Sequence, residues 1–360
     1  MNRPSFSDAV PVAAPSATDN SSPVAANGRW QDEMKHAVRD LATLRSRLGL
    51  PISEAGGEDV AEAAHQAQRQ FPVFVPPSLL QRIRPGDPAD PILQQVLPVS
   101  QEQDSPVGFS QDPLQEQGAN QTQPVLKKYQ GRVLLVTTGV CGVHCRYCFR
   151  RHFPYQQLPQ NRTDWTPWLE PVQKDDTINE VILSGGDPLV LNDLSLTRLC
   201  ESLKQIPHVR WLRLHSRMPV VIPSRITSEL LAAITGFAHT TMVLHINHAQ
   251  EIDGTVKAAV AQLKQAGVSV LNQSVLLRGI NDSVEALEQL SIQLIESGIQ
   301  PYYLHQLDRV QGAAHFEVPQ PEAIQLVEQL RRRLPGHAVP QYVREVPGQP
   351  YKTLIDYLPE

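Results

Sequence analysis

Cysteine is scarce in this chain: four in 360 residues, too few for a disulfide framework to hold a fold of this length together. Basic residues hold no majority. Lys and Arg number 32 against 37 Asp and Glu, a net charge of −5, which excludes a generally basic nucleic-acid footprint and leaves room only for a local patch. No apolar run reaches the ~18 residues that a membrane span needs. The N-terminus, Met1-Asn2-Arg3-Pro4 running into Ser, Ala and Pro, lacks the apolar core of a signal peptide, so a cytoplasmic chain is expected. What is plentiful is apolar residues, at 41%, and proline, at 31, above the ~5% norm. The length suits one large domain or two ordinary ones.

Residues 1–28, rich in Ala, Ser, Pro and Asn, predict a disordered tail. Residues 29–125 read as a helical extension and an irregular arm. Met34, Val38, Leu41, Leu44 and Leu48 recur at three- and four-residue steps, predicting one helix over 30–48, with others over 60–70 and 78–83. Gln, Pro, Asp and Ser dominate 94–123, the arm. No repeat is visible.

From Arg132 the pattern alternates. β-branched or Leu-rich runs at 133–137, 180–183, 210–215, 241–246, 268–274 and 299–306 are separated by amphipathic stretches such as 194–206, 228–234, 255–266 and 284–297. Strands alternating with helices predict βαβ units and a parallel sheet. Six units fall short of a closed eight-fold barrel. The expected fold is therefore α/β, a partial (β/α)6 barrel over 126–345, with an open doubly wound sheet as the second choice. Polar groups gather where each strand ends: Cys141–Cys145, Ser184–Pro188, His215–Arg217, His245–His248, Asn272-Gln273 and His305–Asp308. In parallel α/β folds that rim carries the chemistry.

Three of the four cysteines, Cys141, Cys145 and Cys148, fall within eight residues as CxxxCxxC. Soft thiolates select zinc or iron–sulfur clusters. A structural zinc site wants four ligands; no second CxxC pair exists, and His144 sits between two ligands in a loop too short to fold it back. A [4Fe–4S] cluster held by three cysteines keeps one iron open for a further ligand. Cys200, between Leu199 and Leu203 in an amphipathic stretch, reads as core.

CxxxCxxC followed by Phe149, after the first strand of a parallel α/β unit, resembles the radical S-adenosylmethionine (SAM) superfamily. Gly185, Gly186 and Asp187 after the second strand resemble its SAM-binding element. Cys145–Phe153, Leu271–Leu277, Pro301-Tyr302-Tyr303 and Lys352-Thr353 are similar to the lysine 2,3-aminomutase family. His152–Tyr155 and Asp308–Phe316 resemble its EpmB branch, which makes (R)-β-lysine for modification of elongation factor P. The resemblance runs from about residue 75 to the C-terminus and includes Gly108–Leu114 in the arm.

This resemblance implies an isomerase that shifts the amino group of L-lysine from C2 to C3. It implies Cys141, Cys145 and Cys148 as cluster ligands, and Lys352, in a segment over 346–360, as the lysine that holds pyridoxal phosphate (PLP). Lys128, Tyr129 and Arg132 match positions around the PLP phosphate; His245 and Gln273 match positions near SAM. Arg150 matches the residue that forks onto the substrate carboxylate, and Asp308 and Glu345 match the pair that clasps its ε-ammonium. Two departures stand out: Lys352-Thr353-Leu354 where the family has Lys-Thr-Pro, and Glu345 where the better-known branch has Asp. Without the resemblance, Lys352 reads as a solvated lysine, Lys128, Tyr129 and Arg132 as a surface cluster, Asp308 and Glu345 as surface acids, and His245 and Gln273 as structural. Implied partners are a flavodoxin or ferredoxin reductant, elongation factor P with its β-lysine ligase, and a second copy of the chain through the N-terminal helices; no nucleic acid or membrane is expected. The rival readings are a radical SAM aminomutase for another amino acid such as glutamate, and an iron–sulfur protein without catalysis.

Overall fold

The computed structural model describes residues 30–51, 57–116, 124–158 and 164–355. The tail expected over 1–28, residues 117–123 of the arm and the last five residues of the C-terminal segment lie outside these.

One nine-stranded sheet, in sequential order, organises the chain. Its strands are β1 (Val125–Tyr129), β2 (Arg132–Thr138), β3 (Glu180–Gly185), β4 (Trp211–Ser216), β5 (His239–Leu244), β6 (Ser269–Val275), β7 (Gln300–His305), β8 (Gln341–Arg344) and β9 (Thr353–Leu354). Strands β2 to β8 run parallel, while β1 and β9 are antiparallel to their neighbours at the two edges. All six expected strands are present, and β8 adds a seventh parallel one.

Between successive parallel strands lie the helices Thr166–Gln173, Asp193–Lys204, Ser228–Ile234, Gly254–Gln265, Val284–Glu296 and Gln320–Arg333. Those six crossovers make the six βα units. Local chemistry starts several of these helices: Asn192, Thr227, Asp253 and Ser283 each accept a backbone N–H of the first turn. The first and last helices are absent from the sequence reading, one containing Pro171 and the other burying only Ala323, Val327 and Leu330.

Side chains alternate across the sheet with a period of two. Leu135, Leu183, Leu214, Met242 and Val270 stand side by side on five adjacent strands, are all buried, and pack against the helices. Each contributes roughly 1.5–3 kcal/mol by leaving water. Their neighbours Leu134, Ile182 and Arg213 point the other way, into a cavity that every parallel strand or the loop after it helps to line. A sheet can surround one cavity in this way only by curling, so the open barrel is the architecture.

The helix expected over 30–48 is two helices, Trp30–Lys35 and Leu41–Arg47. Val38 interrupts it by pairing antiparallel with Val75, and Asp40 restarts it by accepting from the Thr43 N–H at 2.8 Å. The extension shares the barrel's core, with Trp30, Leu44, Leu79 and Ile92 in the same buried cluster as β2 to β6. It also grips the cysteine loop: the His144 N–H donates to the Phe74 carbonyl at 3.2 Å and the Arg146 N–H to the Gln95 carbonyl at 2.9 Å. No helix among the described residues is long and apolar enough to cross a membrane.

Candidate active site

The loop after β2 carries the three cysteines. Its shape is fixed from below by Arg146, fully buried, whose guanidinium forks onto Glu102 at 2.8 and 2.6 Å. Removing Glu102 would strand the buried Arg146 charge, a loss of about 3–5 kcal/mol, whereas Glu102 has a second partner in Arg151 at 2.7 Å. Cys141, Cys145 and Cys148 all open onto the cavity. Burial pushes the Cys141 thiol well above its ordinary value and the Cys148 thiol up to about 11. Such thiols ionise only beside a strong positive charge, which is what an iron cluster offers. Three soft thiolates on one loop are the donor set that an iron–sulfur cluster takes.

The Gly185-Gly186 turn after β3 lies against this loop. The Gly186 N–H donates to the Thr138 carbonyl at 2.6 Å and the Asp187 N–H to that of Val140 at 2.8 Å. A Cβ on Gly186 would lie 2.4 Å from the Val140 oxygen, and Gly185 adopts a φ of +123°. Glycine is therefore demanded here by the packing of two loops as well as by any ligand. Asp187 lines the cavity, and its carboxylate accepts from the Leu189, Arg217 and Met218 N–H groups and the Ser216 hydroxyl. Burial nevertheless pushes it up to about 6. It clips the ends of β3 and β4 together.

A run of alternating charge starts on the cysteine loop itself, two residues beyond Cys148, and leads along the cavity to Lys352. Arg150 forks onto Glu116 at 2.7 and 2.9 Å. Lys128 bridges Glu116 and Glu345 at 2.8 and 2.7 Å. Lys352 donates to the other oxygen of Glu345 at 2.5 Å. Burial alone would push both carboxylates up, but Arg150 and Lys128 hold Glu116 at about 2, and Lys352 and Lys128 hold Glu345 well below the ordinary range.

The remaining expected residues line the same cavity. Burial and the nearby Glu345 push Asp308 up to about 7. Burial, then Arg217 and Arg150, push His245 down to about 3, so it is a neutral imidazole, 3.3 Å from the Gln273 amide nitrogen. Arg132 stacks over the Tyr129 ring at 4.6 Å. All fifteen residues singled out in the sequence thus border one cavity of about 330 Å³.

No family model matches the chain. It is 44% identical over 331 residues to the L-lysine 2,3-aminomutase of Escherichia coli (strain K12), covering 91% of this chain and 94% of that protein. Against the L-lysine 2,3-aminomutase of Haemophilus influenzae it is 43% identical over 326 residues, covering 90% and 95%. The chain belongs to the L-lysine 2,3-aminomutase family. The more distant L-lysine 2,3-aminomutase of Clostridium subterminale is 33% identical over 329 residues, 91% of this chain and 77% of that protein. Among solved structures the chain is similar to Streptococcus suis SuiB bound to S-adenosylmethionine, with TM-score 0.44 and 13% identity over 61% of this chain and 51% of that one.

Two residues of this aminomutase-family site escape the sequence reading. Glu116 arrives from the arm. Arg217, after β4, is buried with one terminal nitrogen donating to the Cys145 sulfur at 2.7 Å and the other to Glu251 at 2.8 Å and Gln95 at 2.5 Å. The run His215-Ser216-Arg217 was visible as a polar strand end; its link to a cysteine 72 residues away was not.

Proposed function

We propose that the protein is a lysine 2,3-aminomutase that converts L-lysine to (R)-β-lysine: the amino group moves from C2 to C3 and a hydrogen from C3 to C2, so atoms and charge balance without a net oxidant. The observation that carries this reading is that the cysteine loop and Lys352, from opposite ends of the barrel sequence, open onto one cavity. When bound, a [4Fe–4S] cluster with SAM would supply an organic radical, and PLP a carrier for the migrating nitrogen.

The chain's own residues supply the rest. Cys141, Cys145 and Cys148 are the cluster ligands, and the backbone at Gly185 and Gly186, with His245 and Gln273, flanks the SAM position. Lys352 holds PLP through its amine, with Lys128, Tyr129 and Arg132 on the phosphate side. Arg150 receives the substrate carboxylate. Glu345 already accepts from two ammonium groups, which is the chemistry that a lysine ε-ammonium asks for, and Asp308 stands beside it. Acidic groups at this end disfavour glutamate, whose distal carboxylate would meet like charge. Enclosure by the curled sheet keeps water and stray hydrogen donors from radical species.

The β-lysine would serve modification of elongation factor P through a β-lysine ligase in the cytoplasm, with a flavodoxin or ferredoxin as electron donor; the segments His152–Tyr155 and Asp308–Phe316 support that assignment by resemblance. The test is anaerobic incubation of iron-, sulfide- and PLP-loaded protein with SAM, dithionite and either L-lysine or L-glutamate, followed by chiral chromatography. (R)-β-lysine from lysine and no β-glutamate is the expected result. β-Glutamate in place of β-lysine would overturn it.

A further inference from the structure

The arm was expected to be irregular, and it is, but it is built to deliver one carboxylate. Ser110 pairs with Val310, its N–H donating to the Arg309 carbonyl at 3.0 Å and its carbonyl accepting from the Gln311 N–H at 2.9 Å. That docks the arm on the loop that carries Asp308. Leu114 is then buried, Gln115 turns the chain at a φ of +52°, and the Asp112 carboxylate accepts the Glu116 N–H at 2.9 Å. A non-glycine residue at positive φ is uncommon, and here it aims the next side chain inward. The Glu116 side chain is 3% exposed.

Its carboxylate spans two cations. One side takes the Nε and one terminal nitrogen of Arg150, and Lys128 approaches at 2.8 Å. The other terminal nitrogen of Arg150 donates to the Ser184 hydroxyl at 3.1 Å. A guanidinium has five N–H groups in a rigid fork, so three are engaged and two, one on each terminal nitrogen, remain. That is the number a second carboxylate needs for bidentate recognition. Arg150 is thus oriented without being saturated, and its long side chain has already lost its rotamer freedom before any ligand arrives.

We infer that Glu116 is a positioning residue for the carboxylate end of the substrate, acting by holding Arg150 in the plane in which its two remaining N–H groups meet an α-carboxylate. The inference rests on the lysine reading above. It differs from a purely structural role because carboxylate-bearing ligands depend on it directly through Arg150, whereas a ligand with only ammonium groups feels it only indirectly, through Lys128 and Glu345. Pentane-1,5-diamine, which has lysine's two nitrogens and no carboxylate, is the probe that separates the two.

Titration calorimetry on anaerobically loaded protein without reductant measures Kd for L-lysine and for pentane-1,5-diamine in wild type, Glu116→Gln and Glu116→Asp. Glu116→Gln should raise Kd for lysine at least tenfold and shift that for the diamine by less than about threefold. Glu116→Asp restores the charge at shorter reach and should fall between wild type and Gln. Should Glu116→Gln misfold, the Asp variant carries the same comparison alone. Equal losses for both ligands, or no loss for either, would overturn the inference while leaving the lysine reading intact. A wild type that binds the diamine but not lysine would overturn the lysine reading, and the inference with it.

Discussion

The two ends of the cavity are built on different principles. The cysteine end adds close main-chain packing to its buried Arg146–Glu102 pair: the loops after β2 and β3 lie close enough that one added methyl on Gly186 would meet a carbonyl oxygen at 2.4 Å. The other end is made of charge: Glu116, Lys128, Glu345 and Lys352 are joined to one another, and through Arg150 to the cysteine loop, by ion pairs. The first is sensitive to volume as well as to its own buried ion pair, the second to charge. Main-chain packing holds a large inorganic group in one place, whereas paired charges can exchange partners as a flexible substrate enters.

The comparison breaks most sharply at the cysteines. Replacing Cys141, Cys145 or Cys148 with Ala should take iron from about four per chain to none and abolish turnover. Cys200→Ala should keep both, because Cys200 lies buried among the outer helices. Iron assay on anaerobically loaded protein decides, and stoichiometric zinc without iron uptake would refute the cluster.

At the charged end, Asp308→Asn preserves volume and removes charge. If pairing the ε-ammonium contributes about 3 kcal/mol, kcat/KM for lysine should fall ~10²-fold with iron content unchanged. The pH dependence sharpens this. Asp308 titrates at about 7, so its carboxylate forms as pH rises through that value, and wild-type kcat/KM for lysine should climb from pH 6 to 8. The same raised pKa makes the native state bind an extra proton between the unfolded value near 3.8 and 7, so this group's contribution to stability is lost as pH rises through that window. Asp308→Asn should flatten both trends, read by kinetics and by denaturant melts. A wild-type profile flat across pH 7 would place the ammonium elsewhere.

The smallest effect is the volume test. Gly186→Ala should cost about 1–3 kcal/mol by overpacking, lowering Tm by a few degrees in calorimetry. An unchanged Tm would mean that the two loops have room to part.

The same contrast explains what could be read in advance. The cysteine end was legible because its parts are local: CxxxCxxC, the double glycine and the strand ends sit within short stretches whose pattern survives in one dimension. Arg150, Asp308, Glu345 and Lys352 were found through resemblance to a family, since nothing in their own spacing predicts that they meet. Glu116 was missed because its meaning depends on Arg150, 34 residues away, and its surroundings look like any polar arm. Strands β1, β8 and β9 were missed for a related reason: β1 reads VLKKY and β8 QYVR, with polar residues where an apolar run is sought, β9 has two residues, and pairing with a neighbour defines them. The break at Val38 likewise needs Val75, a tertiary partner that the helical period of 30–48 cannot reveal.

The central claim is that the two ends serve one reaction, and a label that must cross the cavity tests it most directly. Loaded protein would be given L-lysine carrying deuterium at C3, with SAM and dithionite, and the 5′-deoxyadenosine and β-lysine recovered and analysed by mass spectrometry and NMR. The account predicts deuterium in the 5′-deoxyadenosine and at C2 of the β-lysine. 5′-Deoxyadenosine free of deuterium, formed while lysine is consumed, would contradict it.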